Sequence, residues 1–225
     1  MEITAEKIMQ QLSAGTQVAG VIAVFGEEGY YKDKIAAALP RAVFGDAAPE
    51  DREITVFERD TDIKEISAAV NTYPFFSGRS LVIIKDEKLW GGKDGGEKRK
   101  QQQEELAELL ADVPEHCQVL LLGEKIDKRG KLYKSLLKTA AMVECKSLKS
   151  YQLKPWLDEQ AALRGCRFDY EASQTIMEYL SVTDNAPLLL LEQEIEKLSV
   201  YAGERKIWTK DDIEQTFAAL PEVSR

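Results

Sequence analysis

Three short, unbroken apolar runs constrain what this chain can fold into: Val21-Ile22-Ala23-Val24-Phe25, Leu81-Val82-Ile83-Ile84 and Val119-Leu120-Leu121-Leu122. Each has the length of a strand, and none alternates apolar with polar residues. A strand with one wet face alternates, so these runs belong to strands buried on both faces. Ile54-Thr55-Val56-Phe57 and Ala141-Met142-Val143-Glu144-Cys145 complete a set of five expected strands. Helical spacing fills the intervals. Residues 3–12 and 30–39 form two such patterns, the second with Tyr31, Ile35, Ala38 and Leu39 on one face and Pro40 as its stop. Asp62 caps a third, whose stripe is Ile63, Ile66, Val70 and Tyr73 and which ends at Pro74. Two more follow at about 97–110, after the glycine-rich loop 91–96, and at 131–139. Alternating strands and helices give a parallel sheet with helices on both faces.

Beyond residue 147 no run has strand character. Helical patterns at 151–163, 171–180, 188–201 and 210–219 take over, with Asp169 and Thr209 at cap positions and Gly165 and Gly203 at helix ends. The expected division is an α/β domain over residues 1–145 and a small all-helical domain over 146–225.

Composition removes several classes of function. A chain of 225 residues with 44% hydrophobic and 31% charged residues is globular, not disordered. Its 39 acids against 30 bases, net −9, make it a poor stand-alone DNA binder, because phosphate contacts need clustered Lys and Arg. No apolar run approaches the roughly 20 residues that span a bilayer. The start, Met1-Glu2-Ile3-Thr4-Ala5-Glu6, has no apolar signal region. A cytoplasmic protein with no membrane partner is expected. Cys117, Cys145 and Cys166 are scattered and read as reduced, mostly buried thiols, while His116, the sole histidine, reads as a loop residue. No catalytic residue, metal site or cofactor is expected.

A mononucleotide-binding sheet carries G-x-x-x-x-G-K-[ST] after its first strand. Here that place holds Gly26-Glu27-Glu28-Gly29-Tyr30-Tyr31-Lys32-Asp33. Gly26 and Lys32 match, but Tyr31 replaces the second glycine and Asp33 the magnesium-binding hydroxyl. Glu27 and Glu28 would repel a triphosphate. Asp86-Glu87 after Leu81-Val82-Ile83-Ile84 imitates the acidic pair of such ATPases one residue late, and reads as a solvated strand end.

Several motifs occur in a telling order. Phe25-Gly26-Glu27-Glu28 with Tyr30 comes first, then Tyr73-Pro74-Phe75-Phe76-Ser77-Gly78-Arg79 before Leu81-Val82-Ile83-Ile84. Asp127-Lys128-Arg129 with Lys131-Leu132, Trp156-Leu157, and Glu194 with Glu196-Lys197-Leu198 follow. Across almost its whole length the chain resembles the delta subunit of the bacterial DNA polymerase III clamp loader. That resemblance implies an AAA+-like α/β domain with a degenerate phosphate loop and a helical lid. A C-terminal collar domain, which the family carries, is expected to be absent, since the chain stops about where it should begin. It looks like an N-terminal fragment.

The resemblance also implies a role. Such a subunit is the wrench of the loader: it binds the ring-shaped sliding clamp and favours the open ring during DNA replication, without ATPase activity of its own. Its other partners are the remaining loader subunits, with DNA reached mainly through the assembled complex. The clamp-binding element would be Pro74, Phe75 and Phe76, with Phe75 the principal anchor and one of the two rings buried. On residue chemistry alone, both rings packing under the sheet is an equal alternative. Asp127, Lys128 and Arg129 stand where sister subunits meet, or form an ordinary polar turn. Lys98-Arg99-Lys100, the densest basic run, reads as a solvated helix face. Two rival functions are an authentic AAA+ ATPase using Lys32 and Asp86, and a DNA-binding accessory factor.

Overall fold

The apolar runs form a sheet in which every neighbouring pair of strands is parallel. The computed structural model describes residues 1–16, 18–90, 96–182 and 186–217, without the side chains of 96–99, 150 and 182. In chain order the strands are β1 (Glu2–Ile3), β2 (Val21–Phe25), β3 (Glu53–Phe57), β4 (Ser80–Ile84), β5 (Cys117–Gly123) and β6 (Ala141–Glu144). Across the sheet they run β1-β6-β2-β5-β4-β3, six strands and not the expected five. The extra strand, β1, has two residues and pairs Glu2 with Met142 and Ile3 with Val143. The terminal amine fixes it by donating to the carbonyls of Leu137 and Ala140, at 2.8 and 2.6 Å. Two residues show no periodicity, so the expected helix from residue 3 begins instead at Ala5.

Helices α1 (Ala5–Ser13), α2 (Gly29–Phe44), α3 (Ile63–Asn71), α4 (Gly96–Ala111) and α5 (Lys131–Thr139) connect these strands. On one face Val82, Ile84, Val119 and Leu121 of the sheet pack with Ile66 and Val70 of α3, Leu106 and Leu110 of α4, and Leu136 of α5. Ile22, Val24, Leu81 and Leu120 point the other way and are equally buried, with Ile35 and Leu39 of α2 on that side. Each such side chain contributes roughly 1.5–3 kcal/mol by leaving water. Double-sided burial is what removed polar residues from these runs. The edge strand β3 differs, since Ile54 and Val56 are exposed.

Helix α2 does not stop at Pro40. It runs on to Phe44, with Pro40 inside it and Leu39 and Phe44 buried on either side. Helix α3 ends at Asn71, two residues before Tyr73, which is 71% exposed and not part of its buried stripe.

The chain divides into two units, Met1–Lys146 and Ser147–Arg225. The second holds α6 (Leu153–Ala162), α7 (Tyr170–Tyr179), α8 (Leu188–Ala202) and α9 (Lys210–Thr216). It is not purely helical. Strands β7 (Arg167–Phe168) and β8 (Ile207–Trp208), two residues each, pair in parallel and set Phe168 edge-on to the fully buried Trp208. Trp156 is also buried in this unit. Asp169 caps α7 by accepting from the Ala172 N–H at 2.7 Å, and Thr209 with Asp212 forms a capping box on α9. Of the expected loop 91–96, Gly96 begins α4, while residues 91–95 and the last two residues of the expected helix 210–219 lie outside the described residues.

Candidate functional site

The segment from Tyr73 to Arg79 links the end of α3 to the start of β4. It therefore sits at the end of the parallel sheet where strands begin. Thr72 ends the helix with its hydroxyl donating to the Ala68 carbonyl at 2.7 Å. Pro74 is buried and seats the segment, whereas Phe75 is 87% and Phe76 68% exposed. Both rings stand in solvent, so the expectation of one buried ring is corrected. They pack edge to face on each other, centroids 5.2 Å apart. Gly78, at φ 65°, makes the turn toward β4, and the Ser77 hydroxyl donates to the Arg79 carbonyl at 2.7 Å. Tyr73 lies against the His116 ring at 5.2 Å. The structure adds a residue that the sequence analysis missed. The Glu53 carboxylate, at the start of β3, accepts from the Phe75 N–H at 2.9 Å and the Phe76 N–H at 3.4 Å. A link across 22 residues leaves no local pattern.

The opposite end of the sheet, where strands finish, carries the turn Gly26–Asp33, expected from the sequence to be a degenerate phosphate loop. Gly26 takes φ 139°, and a Cβ there would run into the carbonyl of Cys145. Its N–H donates to the Gly123 carbonyl at 3.3 Å, and the Glu28 N–H donates to the Cys145 carbonyl at 3.2 Å. The Tyr30 N–H is taken by the Glu28 carboxylate at 2.9 Å, capping α2. Lys32 donates to the Gly26 carbonyl at 2.8 Å. A phosphate loop aims such amides and its lysine at an anion. Here the chain's own oxygens occupy them. Tyr30 and Tyr31 are buried edge to face beneath the turn, with centroids 5.0 Å apart. Burial also pushes the Cys145 thiol up to about 12, so it stays protonated and unreactive.

Asp86 is not the solvated strand end expected. It is 2% exposed and accepts from the Thr61 N–H at 3.0 Å and the Lys88 N–H at 3.1 Å, tying the segment before α3 to the end of β4. Glu87 accepts from the Glu124 N–H. Both acids are used in building the turn. Asp127 accepts from the Arg129 N–H at 3.0 Å in the turn that starts α5, while Lys128 donates to the Glu144 carboxylate at 2.8 Å, which makes the ammonium hold its proton more tightly. Arg129 is the most exposed of the three, its side chain 85% open. The structure does not bring this loop to the Phe75–Phe76 segment, which lies at the other end of the sheet. Among the described residues no group of three or more His, Cys, Asp and Glu could hold a metal ion, and no helix is long and apolar enough to cross a membrane. Of the basic run, the side chains of Lys98 and Arg99 lie outside the described residues.

Comparison with known proteins places this architecture. The chain is 28% identical over 205 residues to the DNA polymerase III subunit delta of Bacillus subtilis, covering 90% of its own length and 58% of the relative's. Its fold matches the Bacillus subtilis DNA clamp loader delta protein (YqeN) with a TM-score of 0.74 at 24% identity, over 94% of this chain and 61% of that one. A chain of the E. coli MS115-1 HORMA:CdnC:Trip13 complex shares the fold more distantly, with a TM-score of 0.54 at 14% identity, over 90% of this chain and 76% of that one. The model of the family described as DNA polymerase III, delta subunit, matches residues 25–146, most of the α/β unit and more than half of the chain. The chain belongs to the DNA polymerase III delta subunit family.

Proposed function

We propose that this chain is the clamp-engaging part of a DNA-replication clamp loader, a cytoplasmic, non-catalytic subunit that binds the sliding clamp through Phe75 and Phe76 and favours its open ring. The observation that carries this is the pair of adjacent phenylalanines, both in solvent, on a segment seated by Pro74. Clustered exposed aromatics on a supported loop are the usual anchors of a protein interface. A subunit that binds the open ring better than the closed one shifts the equilibrium by that difference alone. Nucleotide turnover is left to other loader subunits, a reading supported by the internal pairing of Lys32 and of the Gly26, Glu28 and Tyr30 amides. Arg129, the most exposed of the 127–129 turn, is the group best placed to meet a neighbouring subunit. DNA is met through the assembled complex.

Titration of Phe75→Ala against the cognate clamp tests the central claim. The affinity should fall by at least about 2 kcal/mol, roughly thirtyfold. The melting temperature should hold, because the ring has little to lose in the free subunit. Lys98→Ala should bind as the parent does, separating apolar anchoring from charge attraction. If Phe75→Ala lowers the melting temperature by several degrees and leaves affinity untouched, the ring is part of the core and the assignment is wrong.

A further inference from the structure

We infer that Glu53 is a positioning residue for the Phe75–Phe76 anchor, holding the tip in its binding shape before a partner arrives. The inference rests on the clamp-binding reading of that tip. Two consecutive backbone N–H groups, those of Phe75 and Phe76, converge on one carboxylate, with Oε1 at 2.9 Å from the first and Oε2 at 3.4 Å from the second. Successive amides of this kind form a small anion-binding concavity. A side chain from another strand fills it. The arrangement is specific in three ways. Glu53 is the first residue of β3 and its Cα partner is Ser80, the first residue of β4, so the carboxylate comes from the rigid sheet and not from the tip. The amides it holds belong to the two residues whose rings are exposed at 87% and 68%. The rings themselves pack edge to face on each other, centroids 5.2 Å apart, so holding the two amides together also holds the rings as a pair.

The physical consequence concerns entropy. An exposed loop that must be ordered on binding loses affinity by the cost of ordering it, and a loop ordered beforehand does not. Glu53 supplies that order through main-chain bonds, which leaves both aromatic faces available. Charge-assisted bonds to a carboxylate are stronger than neutral ones, so a carboxylate does this better than an amide of the same shape. The glutamine in Glu53→Gln keeps one acceptor oxygen for one N–H but turns an NH2 toward the other.

The experiment compares the parent chain with Glu53→Ala, Glu53→Gln and Phe75→Ala. Three quantities are read for each: affinity for the cognate clamp, hydrogen exchange of the Phe75 and Phe76 amides in the free protein, and the thermal melt. Glu53→Ala should speed exchange at both amides and weaken clamp binding about fivefold, the order expected when pre-ordering of one or two residues is lost. Glu53→Gln should fall between Glu53→Ala and the parent in both readouts. The melt should move little, since Glu53 lies on an edge strand. A merely structural role would lower the melt and leave the ordering of variants by exchange and by affinity unrelated. If Glu53→Ala leaves exchange at Phe75 and Phe76 unchanged, the tether does not operate in solution and the inference falls. It also falls if exchange rises and Phe75→Ala weakens binding while Glu53→Ala binds as the parent does. If Phe75→Ala itself binds normally, it is the clamp reading of the tip that fails, and the positioning role loses its purpose with it.

Discussion

The two ends of the parallel sheet are built from similar materials and do opposite things with them. At the end where strands finish, where open α/β sheets ordinarily bind their ligands, the chain turns its amides and its lysine onto itself. Gly123, Cys145 and Gly26 supply the carbonyls, and Glu28 supplies a carboxylate. At the end where strands begin, Glu53 also captures backbone N–H groups, yet the result is an exposed pair of rings and not a sealed turn. The difference lies in what the backbone bonds leave over. Sealing the carboxyl end buries Tyr30 and Tyr31 with the turn, whereas fixing the tip buries only Pro74. One sheet thus carries a closed turn at one end and an exposed pair of rings at the opposite end.

The contrast can be broken most directly at two glycines with positive φ. At Gly26 an added methyl meets the Cys145 backbone, while at Gly78 it meets nothing within 4 Å. Gly26→Ala should cost about 3 kcal/mol or more, since steric clash adds to conformational strain. Gly78→Ala should cost about 1 kcal/mol, the strain of the left-handed region alone. Denaturant midpoints at equal slopes measure both. Equal costs would mean that the carboxyl end is no tighter than the tip, and the comparison would lose its basis.

A smaller effect tests whether Lys32 is spent. Lys32→Ala removes the bond to the Gly26 carbonyl and should cost about 1 kcal/mol of stability. Calorimetric titration of ATP with magnesium should give no binding for the parent or the variant. Micromolar binding that disappears in Lys32→Ala would restore the phosphate loop to function and make the molecule an ATPase candidate with two working ends.

Much of this was legible in the sequence, and what was not has identifiable causes. The central strands announce themselves because burial on both faces excludes polar residues from them. Strand β1 does not, because its two residues are held by a partner strand some 140 positions away. Pro40 looks like a stop because proline lacks an N–H, but burial of residues on both sides of it carries α2 onward. Phe75 and Phe76 were visible as a motif, while their exposure was not, since two aromatics before an apolar run fit a core equally well. Asp86 resembles a solvated acid until the Thr61 N–H, 25 residues away, turns out to need it. Glu53 was invisible for the same reason. Residues that act by accepting main-chain hydrogen bonds across the fold carry no periodicity of their own.

The smallest expected effect asks whether charge, rather than backbone geometry, closes the carboxyl end. Glu144 ends β6 and pairs with Lys128 at 2.8 Å and Lys146 at 3.1 Å. The Lys128 ammonium holds the Glu144 carboxyl below its ordinary range, and Glu144 in turn raises Lys128. All three side chains are well exposed, so solvent screens the pair and Lys128→Ala should cost only about 0.5 kcal/mol. The sign follows from the two shifts. The carboxylate's share is present above its unfolded value and is lost as pH falls through the lower folded one. The ammonium's share is present below its unfolded value and is lost as pH rises through the higher folded one. The difference between parent and variant should therefore be flat across neutral pH, shrink at both extremes, and shrink again in about 1 M salt. Arg129→Ala should not change stability, because its side chain is 85% exposed. A loss of more than about 2 kcal/mol in Lys128→Ala would exceed what an exposed pair supplies. It would then be ion pairing, and not the Gly26–Cys145 backbone contact, that keeps this end of the sheet shut.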